Sequence, residues 1–150
     1  MIEGVVRHPL KQFIDERGRT MHMLRNDDAH FRSFGEIYYS GIQHGKVKGW
    51  YFHKRKTLNY AVPVGQIRVM IYDDREGSPT RGNLEEFVLG EDPALYALLT
   101  IPPHLWYGLQ GLAAGVSLIG NCSDIPNDPE ESQRKPEDSP DIPYSWPVVG

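Results

Sequence analysis

The sequence predicts an all-β protein of short antiparallel strands, arranged as a sandwich or a barrel. Two observations favour this class. Twelve prolines and fifteen glycines are spread along the 150 residues and divide the chain into short segments. No window places apolar residues at the i, i+3, i+4 and i+7 spacing of an amphipathic helix over three turns. The length suits a single domain with one sizeable core, and neither an internal repeat nor a composition shift marks a second domain.

Eight segments rich in β-branched, aromatic and other apolar residues are predicted as strands. They are residues 35–42, 46–54, 58–65, 66–74, 84–90, 94–101, 106–112 and 115–122. In the fourth segment, Ile67, Val69 and Ile71 recur at every second position, which predicts one buried face. We expect the third and fourth segments to pair with each other around Gly65.

Three other segments carry turn or helix-start signals. Asn26 or Asp27 can cap one helical turn at 26–31. Pro129 can open another at 128–135, where acidic residues lie near the start. The segment 73–82 is rich in Asp, Gly, Ser and Pro. It predicts a long turn rather than a carboxylate site, because these residues favour turns for backbone reasons.

The end of the chain differs from the rest. From Ser123 onward the sequence is rich in Pro, Asp, Glu and Ser and has no apolar periodicity. We expect residues 1–150 to form one domain, in which residues 123–150 are a tail that packs on the body through Tyr144 and Trp146.

Composition excludes several functional classes. The net charge is −4 and basic residues cluster only at 46–56, which argues against a nucleic-acid partner. The single cysteine, Cys122, excludes an internal disulfide and a cysteine zinc cluster, and it fits a reducing compartment. No window reaches the roughly 20 apolar residues of a membrane span, and no signal peptide is evident. We therefore expect a cytoplasmic protein without a membrane partner.

Six motifs occur in a recognisable order along the chain. They are FIDERGR at 13–19, VKGWYFH at 47–53, VGQIRVMIYDDREGSPTRG at 64–82, IPPHLWYGL at 101–109, NCSDIPNDPEE at 121–131 and IPYSWP at 142–147. Together they resemble the cupins of the dTDP-4-dehydrorhamnose 3,5-epimerase family, in particular its short, epimerase-related members. The resemblance spans roughly residues 4–147.

This resemblance implies a cupin jelly-roll barrel, also called a double-stranded β-helix, with a cavity inside the barrel and usually a homodimer. It also implies a nucleotide-linked 4-keto sugar as substrate, with no metal and no other cofactor. In this family a histidine removes a proton next to the ketone, and a tyrosine returns one on the other face. A nearby lysine or arginine helps, because the ketone oxygen takes up negative charge.

The family's catalytic positions are occupied unevenly in this chain. The first family histidine corresponds to Tyr51 and the second to Tyr107. His53 shares a face with Tyr51 in a regular strand and is the expected base, because an imidazole titrates near neutral pH. Tyr51, Tyr107 and Tyr38 can act as acids or hydrogen-bond donors. A phenol has a pKa of about 10, so Tyr51 cannot replace a histidine base unless a cation such as Lys48 lowers that pKa.

Other positions matched by the resemblance are expected to bind substrate. They are Arg17, His22, Glu36, Tyr38, Lys48, Arg68, Trp106 and Asn121. Cations among them can meet phosphates, and Trp106 can stack on a base or sugar. Asn121 falls near the family's acid tyrosine, whose proton transfer an amide cannot perform. By alternation, Lys48 lies opposite Tyr51 and His53, unless Gly49 marks a β-bulge that changes the register.

Three functions are compatible with these residues. The expected function is a metal-independent isomerase of the epimerase type, active in carbohydrate biosynthesis. One alternative is a non-catalytic sugar- or small-molecule-binding cupin, since both family histidines are tyrosines here. A metal-dependent cupin is the other alternative. Metal-binding cupins supply a His-x-His pair, a Glu and a later His, and of this set of histidines only His53 remains, so we expect no metal.

Overall fold

A computed structural model describes residues 1–150 as twelve β-strands and one turn of 3₁₀ helix, which confirms the all-β prediction. The strands are β1 (Val6–Pro9), β2 (Gln12–Asp15), β3 (Gly18–Met21), β4 (Glu36–Gln43), β5 (Val47–His53), β6 (Leu58–Val64), β7 (Gln66–Tyr72), β8 (Leu84–Gly90), β9 (Ala97–Ile101), β10 (Trp106–Gly111), β11 (Val116–Ser123) and β12 (Ser132–Arg134). The 3₁₀ turn, Pro129–Glu131, directly precedes β12. The structure contains no helix of the length and apolar character that crossing a bilayer requires.

Two five-stranded antiparallel sheets enclose the core. The first sheet has the strand order β1-β9-β6-β11-β4, the second has β12-β5-β10-β7-β8, and β2 and β3 form a separate hairpin. The alternation in β7 is confirmed, because Ile67, Val69 and Ile71 are fully buried. They share one hydrophobic core with Leu99 and Ile119 of the first sheet. Burial of apolar side chains from both sheets therefore holds the sandwich together.

The predicted pairing of the strands on either side of Gly65 is wrong. β6 bonds to β9 and β11, whereas β7 bonds to β8 and β10 in the other sheet. Gly65 has φ +84°, and a Cβ there would lie 2.3 Å from Ser117 Oγ. The glycine thus makes a corner at which the chain changes sheets. Two adjacent apolar runs with a glycine between them are compatible with a corner as well as with a hairpin.

The two predicted helical turns differ in outcome. Residues 26–31 form turns and no helix. At 128–135, Asp128 caps the 3₁₀ turn by accepting a hydrogen bond from Glu130 N, and Pro129 opens it as predicted. The turn ends after Glu131 because the next three residues pair with β5 as β12. The short strands β1, β2, β3 and β12 were not predicted.

A β-bulge in β5 decides which side chains face the sandwich interior. Tyr107 pairs with Tyr51 and Gly108 pairs with Gly49, so Trp50 is the extra residue. A Cβ at Gly49 would lie 2.8 Å from Gly108 Cα, so the two strands approach too closely for a side chain there. As a result Lys48 lies on the same side as Tyr51, whereas the buried Trp50 faces the other way.

The end of the chain covers the outer face of the second sheet. Lys135 and Trp50 exchange two backbone hydrogen bonds of 2.9 and 3.0 Å. The indole of Trp50 donates to the carbonyl oxygen of Glu137 at 3.2 Å. Tyr144 and Trp146 pack against the same indole, with ring centroids 6.1 and 5.1 Å away. This face is therefore occupied by the protein's own tail.

The segment 73–82 is a turn, as predicted, and it is organised by the buried carboxylate of Asp73. Asp73 accepts hydrogen bonds from Arg75 Nη2 (2.9 Å), Ser78 Oγ (2.7 Å) and Thr80 Oγ1 (2.6 Å). Burial opposes ionisation, but these hydrogen bonds outweigh it and hold the pKa of Asp73 well below its ordinary value. The carboxylate is saturated by its own turn and serves the fold.

We expect Asp73→Ala to lower the free energy of unfolding by about 3 kcal/mol, because it leaves a buried network without its acceptor. Urea unfolding followed by tryptophan fluorescence measures this change. Asp74→Ala is the matched control, since Asp74 is half exposed and meets Arg81 only at the surface, at 3.3 Å. Its expected effect is below about 0.5 kcal/mol. Equal losses in the two variants would contradict the structural role of Asp73.

Candidate active site

A cavity of about 300 Å³ opens between the two sheets. The first sheet contributes β4, β6 and β11 to its wall, and the second contributes β5, β10 and β12. The lining residues are Tyr38, Ser40, Lys48, Tyr51, His53, Lys56, Tyr60, Tyr107, Leu109, Ile119, Asn127, Ser132 and Arg134. Phenols, cations and one imidazole thus share a pocket set in an otherwise apolar sandwich, which is the usual composition of a small-molecule site.

His53 is held from both sides at the end of β5. Its Nδ1 lies 2.5 Å from Glu131 Oε1, and its Nε2 lies 2.9 Å from the hydroxyl of Tyr107. A carboxylate can only accept, so in the neutral imidazole Nδ1 carries the hydrogen and Nε2 accepts from Tyr107. The orientation of the ring and its tautomer are therefore fixed by Glu131.

Glu131 is buried and held in place by backbone donors. Its side chain is 1% exposed, and its Oε2 accepts hydrogen bonds from the backbone N–H groups of Arg55 (3.1 Å) and Lys56 (3.2 Å). Burial disfavours the carboxylate, but the hydrogen bonds from His53 and these two amides outweigh it and lower the pKa of Glu131. The group that accepts the Nδ1 hydrogen bond of His53 is therefore an ionised carboxylate.

The surroundings of His53 favour the neutral form of its imidazole. Burial lowers the pKa of His53, and the positive charge of Lys56 adds to this effect, while the hydrogen bond and the charge of Glu131 oppose it. The net shift is downward. At neutral pH, His53 is therefore able to accept a proton and is matched to general-base chemistry.

Two phenols at the cavity floor stay protonated. The hydroxyl groups of Tyr60 and Tyr107 lie 3.4 Å apart, and both side chains are buried. Burial raises the pKa of each phenol well above its ordinary value. Tyr107 is therefore a hydrogen-bond donor to His53 and not a rival base.

Three cations face the cavity in different ways. Lys48 donates to Ser40 Oγ at 3.1 Å and to the carbonyl oxygen of Gly41 at 2.7 Å, both neutral acceptors on β4. Arg134 lies over the Tyr51 ring, 5.4 Å from its centroid. Lys56 is only 3% exposed, and its ammonium makes no hydrogen bond or ion pair with the protein. All three therefore keep positive charge available to an anionic ligand.

This chain is similar in sequence and in structure to known sugar epimerases and isomerases. The chain matches no protein-family model. A curated relative from Haloferax volcanii, the probable low-salt glycan biosynthesis epimerase Agl13, is 37% identical over 97% of this chain and 94% of its own length. The crystal structure of a dTDP sugar isomerase from Desulfovibrio desulfuricans G20 is 46% identical, with a TM-score of 0.94 over 97% of this chain and 92% of that one. The chain belongs to the dTDP-4-dehydrorhamnose 3,5-epimerase-like family.

It is thereby an enzyme of the epimerase type, and the predicted cupin jelly roll is confirmed. A dTDP-4-dehydrorhamnose 3,5-epimerase from Bacillus anthracis superposes with a TM-score of 0.85 at 20% identity, over 98% of this chain and 87% of that one. At that identity the likeness concerns the fold alone. The identity of the substrate and the roles of single residues are therefore argued from the site itself.

The structure brings six of the predicted site residues of this epimerase-like chain together. Five line the cavity, namely Tyr38, Lys48, Tyr51, His53 and Tyr107. The sixth, Asn121, is buried behind Tyr38 and donates to its hydroxyl at 3.0 Å. The rings of Tyr51 and Tyr107 pack against each other at a tilt of 48°, with centroids 5.6 Å apart. The bulge in β5 accounts for the inclusion of Lys48, which regular alternation would exclude.

Five predicted site residues lie outside the cavity of this chain, each for a local reason. Arg17 is in the β2–β3 hairpin and pairs with Asp15 at 2.6 Å. His22 follows that hairpin and packs against Phe13 with the two rings tilted by 60°. Glu36 alternates with Tyr38 and Ser40 on the same face of β4 but does not line the cavity.

The other two face away from the sandwich interior. Arg68 alternates with the core residues of β7, and it bonds to Glu86 (3.0 Å) and Gln110 (2.5 Å). Trp106 packs with Phe52 on the outer face of the second sheet, where Lys135 lies 4.5 Å from its ring centroid. Neither of them lines the cavity, so the phosphate contact and the stacking contact expected of them stay predictions.

Four side chains at or beside the cavity were not among the predicted site residues. Glu131, Lys56, Tyr60 and Arg134 all lie at or beside the cavity. Glu131 is 78 positions from His53 in sequence, and only the pairing of β12 with β5 brings them together. Lys56 sits in the one basic cluster of the sequence, but its burial was not foreseeable from composition.

The donor set of the site does not suit a metal ion. Nowhere in the structure do three or more His, Cys, Asp or Glu side chains converge with ligand geometry. The cavity offers one imidazole, whose Nδ1 is already committed to Glu131, together with phenols and ammonium groups. Tight metal sites need three or four converging donors.

Proposed function

We propose that this protein is a metal-independent epimerase or isomerase that acts on a nucleotide-activated 4-keto sugar by proton transfer next to the ketone. The observation that carries the proposal is the neutral imidazole of His53, aimed into the cavity and backed by the buried carboxylate of Glu131. The names of two relatives, a probable glycan-biosynthesis epimerase and a dTDP sugar isomerase, support the same substrate class.

In the proposed first step, the Tyr107 hydroxyl turns its hydrogen from His53 Nε2 toward the Tyr60 oxygen, 3.4 Å away. His53 Nε2 then removes the hydrogen of the carbon next to the ketone. The C–H bond breaks, an N–H bond forms, and the electron pair moves onto the ketone oxygen as an enolate. Glu131 stabilises the imidazolium that results, because the carboxylate gains a full ion pair at 2.5 Å. Tyr51 and Tyr107 act as hydrogen-bonding partners on the same wall.

The enolate needs a positive partner, and Lys56 is suited to that role. Lys56 is a largely buried residue that lines the cavity, and its ammonium has no partner within the protein. In a site of low dielectric, a pre-positioned cation stabilises developing negative charge far more than water would. We therefore propose that Lys56 interacts with the ketone oxygen during proton removal.

The nucleotide end of the substrate carries a diphosphate. Lys48 and Arg134 line the cavity and have no carboxylate partner. We propose that these two cations bind the diphosphate, since guanidinium and ammonium groups are the usual phosphate ligands. In this proposal they replace the predicted contacts of Arg17 and Arg68.

We further propose a cytoplasmic homodimer. The buried free thiol of Cys122 fits a reducing compartment. Apolar side chains are exposed on the hairpin and beside the edge strand β4, namely Phe13, Ile14, Phe34 and Ile37. Such a group of exposed apolar residues is typical of an interface with a second copy. Light scattering after gel filtration should give twice the mass of one chain.

The test of the proposed reaction uses a dTDP-linked 4-keto-6-deoxyhexose in D₂O. Proton NMR should show deuterium entering at a carbon next to the ketone, together with a new epimer or keto isomer. Absence of both would overturn the proposed reaction. If calorimetry then showed tight binding without exchange, the protein would be the non-catalytic sugar-binding cupin.

A further inference from the structure

The wall of the cavity opposite His53 carries its own proton donor. Tyr38 lies on β4 in the first sheet, whereas His53 lies on β5 in the second sheet. The two side chains line one cavity from opposing sheets, and packed sheets stand about 10 Å apart. A sugar ring held between them presents one face to the imidazole and the other to the phenol.

The phenol of Tyr38 is oriented by its direct cross-strand neighbour, Asn121. Asn121 Oδ1 accepts a hydrogen bond from the backbone N–H of Asn59 at 3.0 Å, which fixes the direction of the amide. Its Nδ2 then donates to the Tyr38 oxygen at 3.0 Å. The oxygen of Tyr38 is thus an acceptor in this contact, so Asn121 does not use its O–H hydrogen, which can point into the cavity.

Inversion at a carbon next to a ketone needs two groups on opposite faces. One group removes a proton and the other delivers a proton to the far side of the planar enolate. A single base returning its own proton regenerates the starting configuration. Burial raises the pKa of Tyr38, although the Asn121 hydrogen bond opposes this shift, so the phenol carries its proton at neutral pH.

We propose that Tyr38 is the catalytic acid that protonates the enolate on the face opposite His53, with Asn121 as its positioning residue. This inference rests on the proposed function. The Tyr38 O–H bond breaks and a C–H bond forms, while the Asn121 N–H stabilises the phenolate that is left. The phenolate then takes a proton from water and the His53 imidazolium loses one to water. Each turnover therefore introduces one solvent hydrogen with inversion.

The test separates proton removal from inversion. Tyr38→Phe and wild-type enzyme are incubated with the dTDP-linked 4-keto-6-deoxyhexose in D₂O, and NMR follows exchange and epimer formation separately. We expect Tyr38→Phe to form the epimer at least about 100-fold more slowly, the usual scale for a general acid. Exchange with retained configuration should persist within about 10-fold of the wild-type rate, because His53 and Lys56 are untouched.

Tyr39→Phe is the matched control. Tyr39 is the next residue on β4, is 64% exposed and faces away from the cavity, so this variant should epimerise like wild type. Wild-type rates of inversion in Tyr38→Phe would overturn the role of Tyr38 and leave the proposed function intact. Equal loss of exchange and inversion in a variant with an unchanged melting temperature would also overturn it. Absence of exchange and inversion in wild-type enzyme would overturn the proposed function itself.

Discussion

Replacing His53 with alanine should lower kcat/KM by about 10²- to 10⁴-fold and remove deuterium exchange altogether. His53 is the only imidazole at the cavity, and it is neutral and oriented by a buried carboxylate. The neighbouring phenols cannot substitute for it, since burial raises the pKa of both Tyr60 and Tyr107. Initial rates of exchange and of product formation on the keto sugar nucleotide measure the effect.

Removal of the imidazole also leaves Glu131 without its hydrogen-bond partner, so the thermal stability of each variant must be compared with that of wild type. His53→Gln retains a side-chain donor of similar length for the carboxylate, and it should melt closer to wild type than His53→Ala does. Both variants should be equally inactive. If His53→Gln exchanged solvent deuterium at the wild-type rate, His53 would not be the base.

The pH dependence gives a second signature of the same group. A base must be neutral, and the pKa of His53 is lowered from 6.5, so activity should fall only as the pH drops below that value. Glu131→Gln removes a carboxylate that raises this pKa, so the acid limb should move to lower pH. It should also lower kcat about 10-fold, because the imidazolium loses its counter-charge. Glu130→Gln, an exposed neighbour, should change neither quantity.

The fold was largely foreseeable from local pattern, whereas the site was foreseeable only in part. Alternation identified β7, and turn residues separated the longer strands. Local pattern could not tell that the chain crosses between sheets at Gly65. It also left open whether Gly49 marks a bulge, and that one extra residue decides whether Lys48 faces the cavity with Tyr51 or the outer side with Trp50.

Residues that act through distant partners were the hardest to foresee. Glu131 is the last residue of a short 3₁₀ turn, in a segment whose composition predicts a polar tail, and it reaches His53 only because β12 adds to the edge of β5. Asn121 cannot transfer a proton and by itself suggests a lost function. The register of β11 against β4 places it beside Tyr38, where it orients a phenol.

Lys56→Met should lower kcat by about 100-fold or more while leaving the fold as stable as wild type, or more stable. The two effects have one cause. Lys56 is only 3% exposed as a residue and its ammonium has no partner in the protein, so methionine fills a similar volume without placing an unpaired charge at the cavity. The same cation is worth several kcal/mol of enolate stabilisation during the reaction, comparable with the loss of an oxyanion donor of about 3 kcal/mol.

A control variant and a pH profile test the role of Lys56. Lys54→Met is the matched control, since Lys54 is exposed and donates only to the carbonyl oxygen of Glu130 at 3.2 Å; it should change neither rate nor stability. The acid limb of the pH profile should move to higher pH in Lys56→Met, because the charge of Lys56 helps to lower the pKa of His53. A variant with lost activity and an unmoved acid limb would place Lys56 away from the imidazole. A variant with wild-type activity would remove it from the enolate site, and another cation, Lys48 or Arg134, would have to take up that charge.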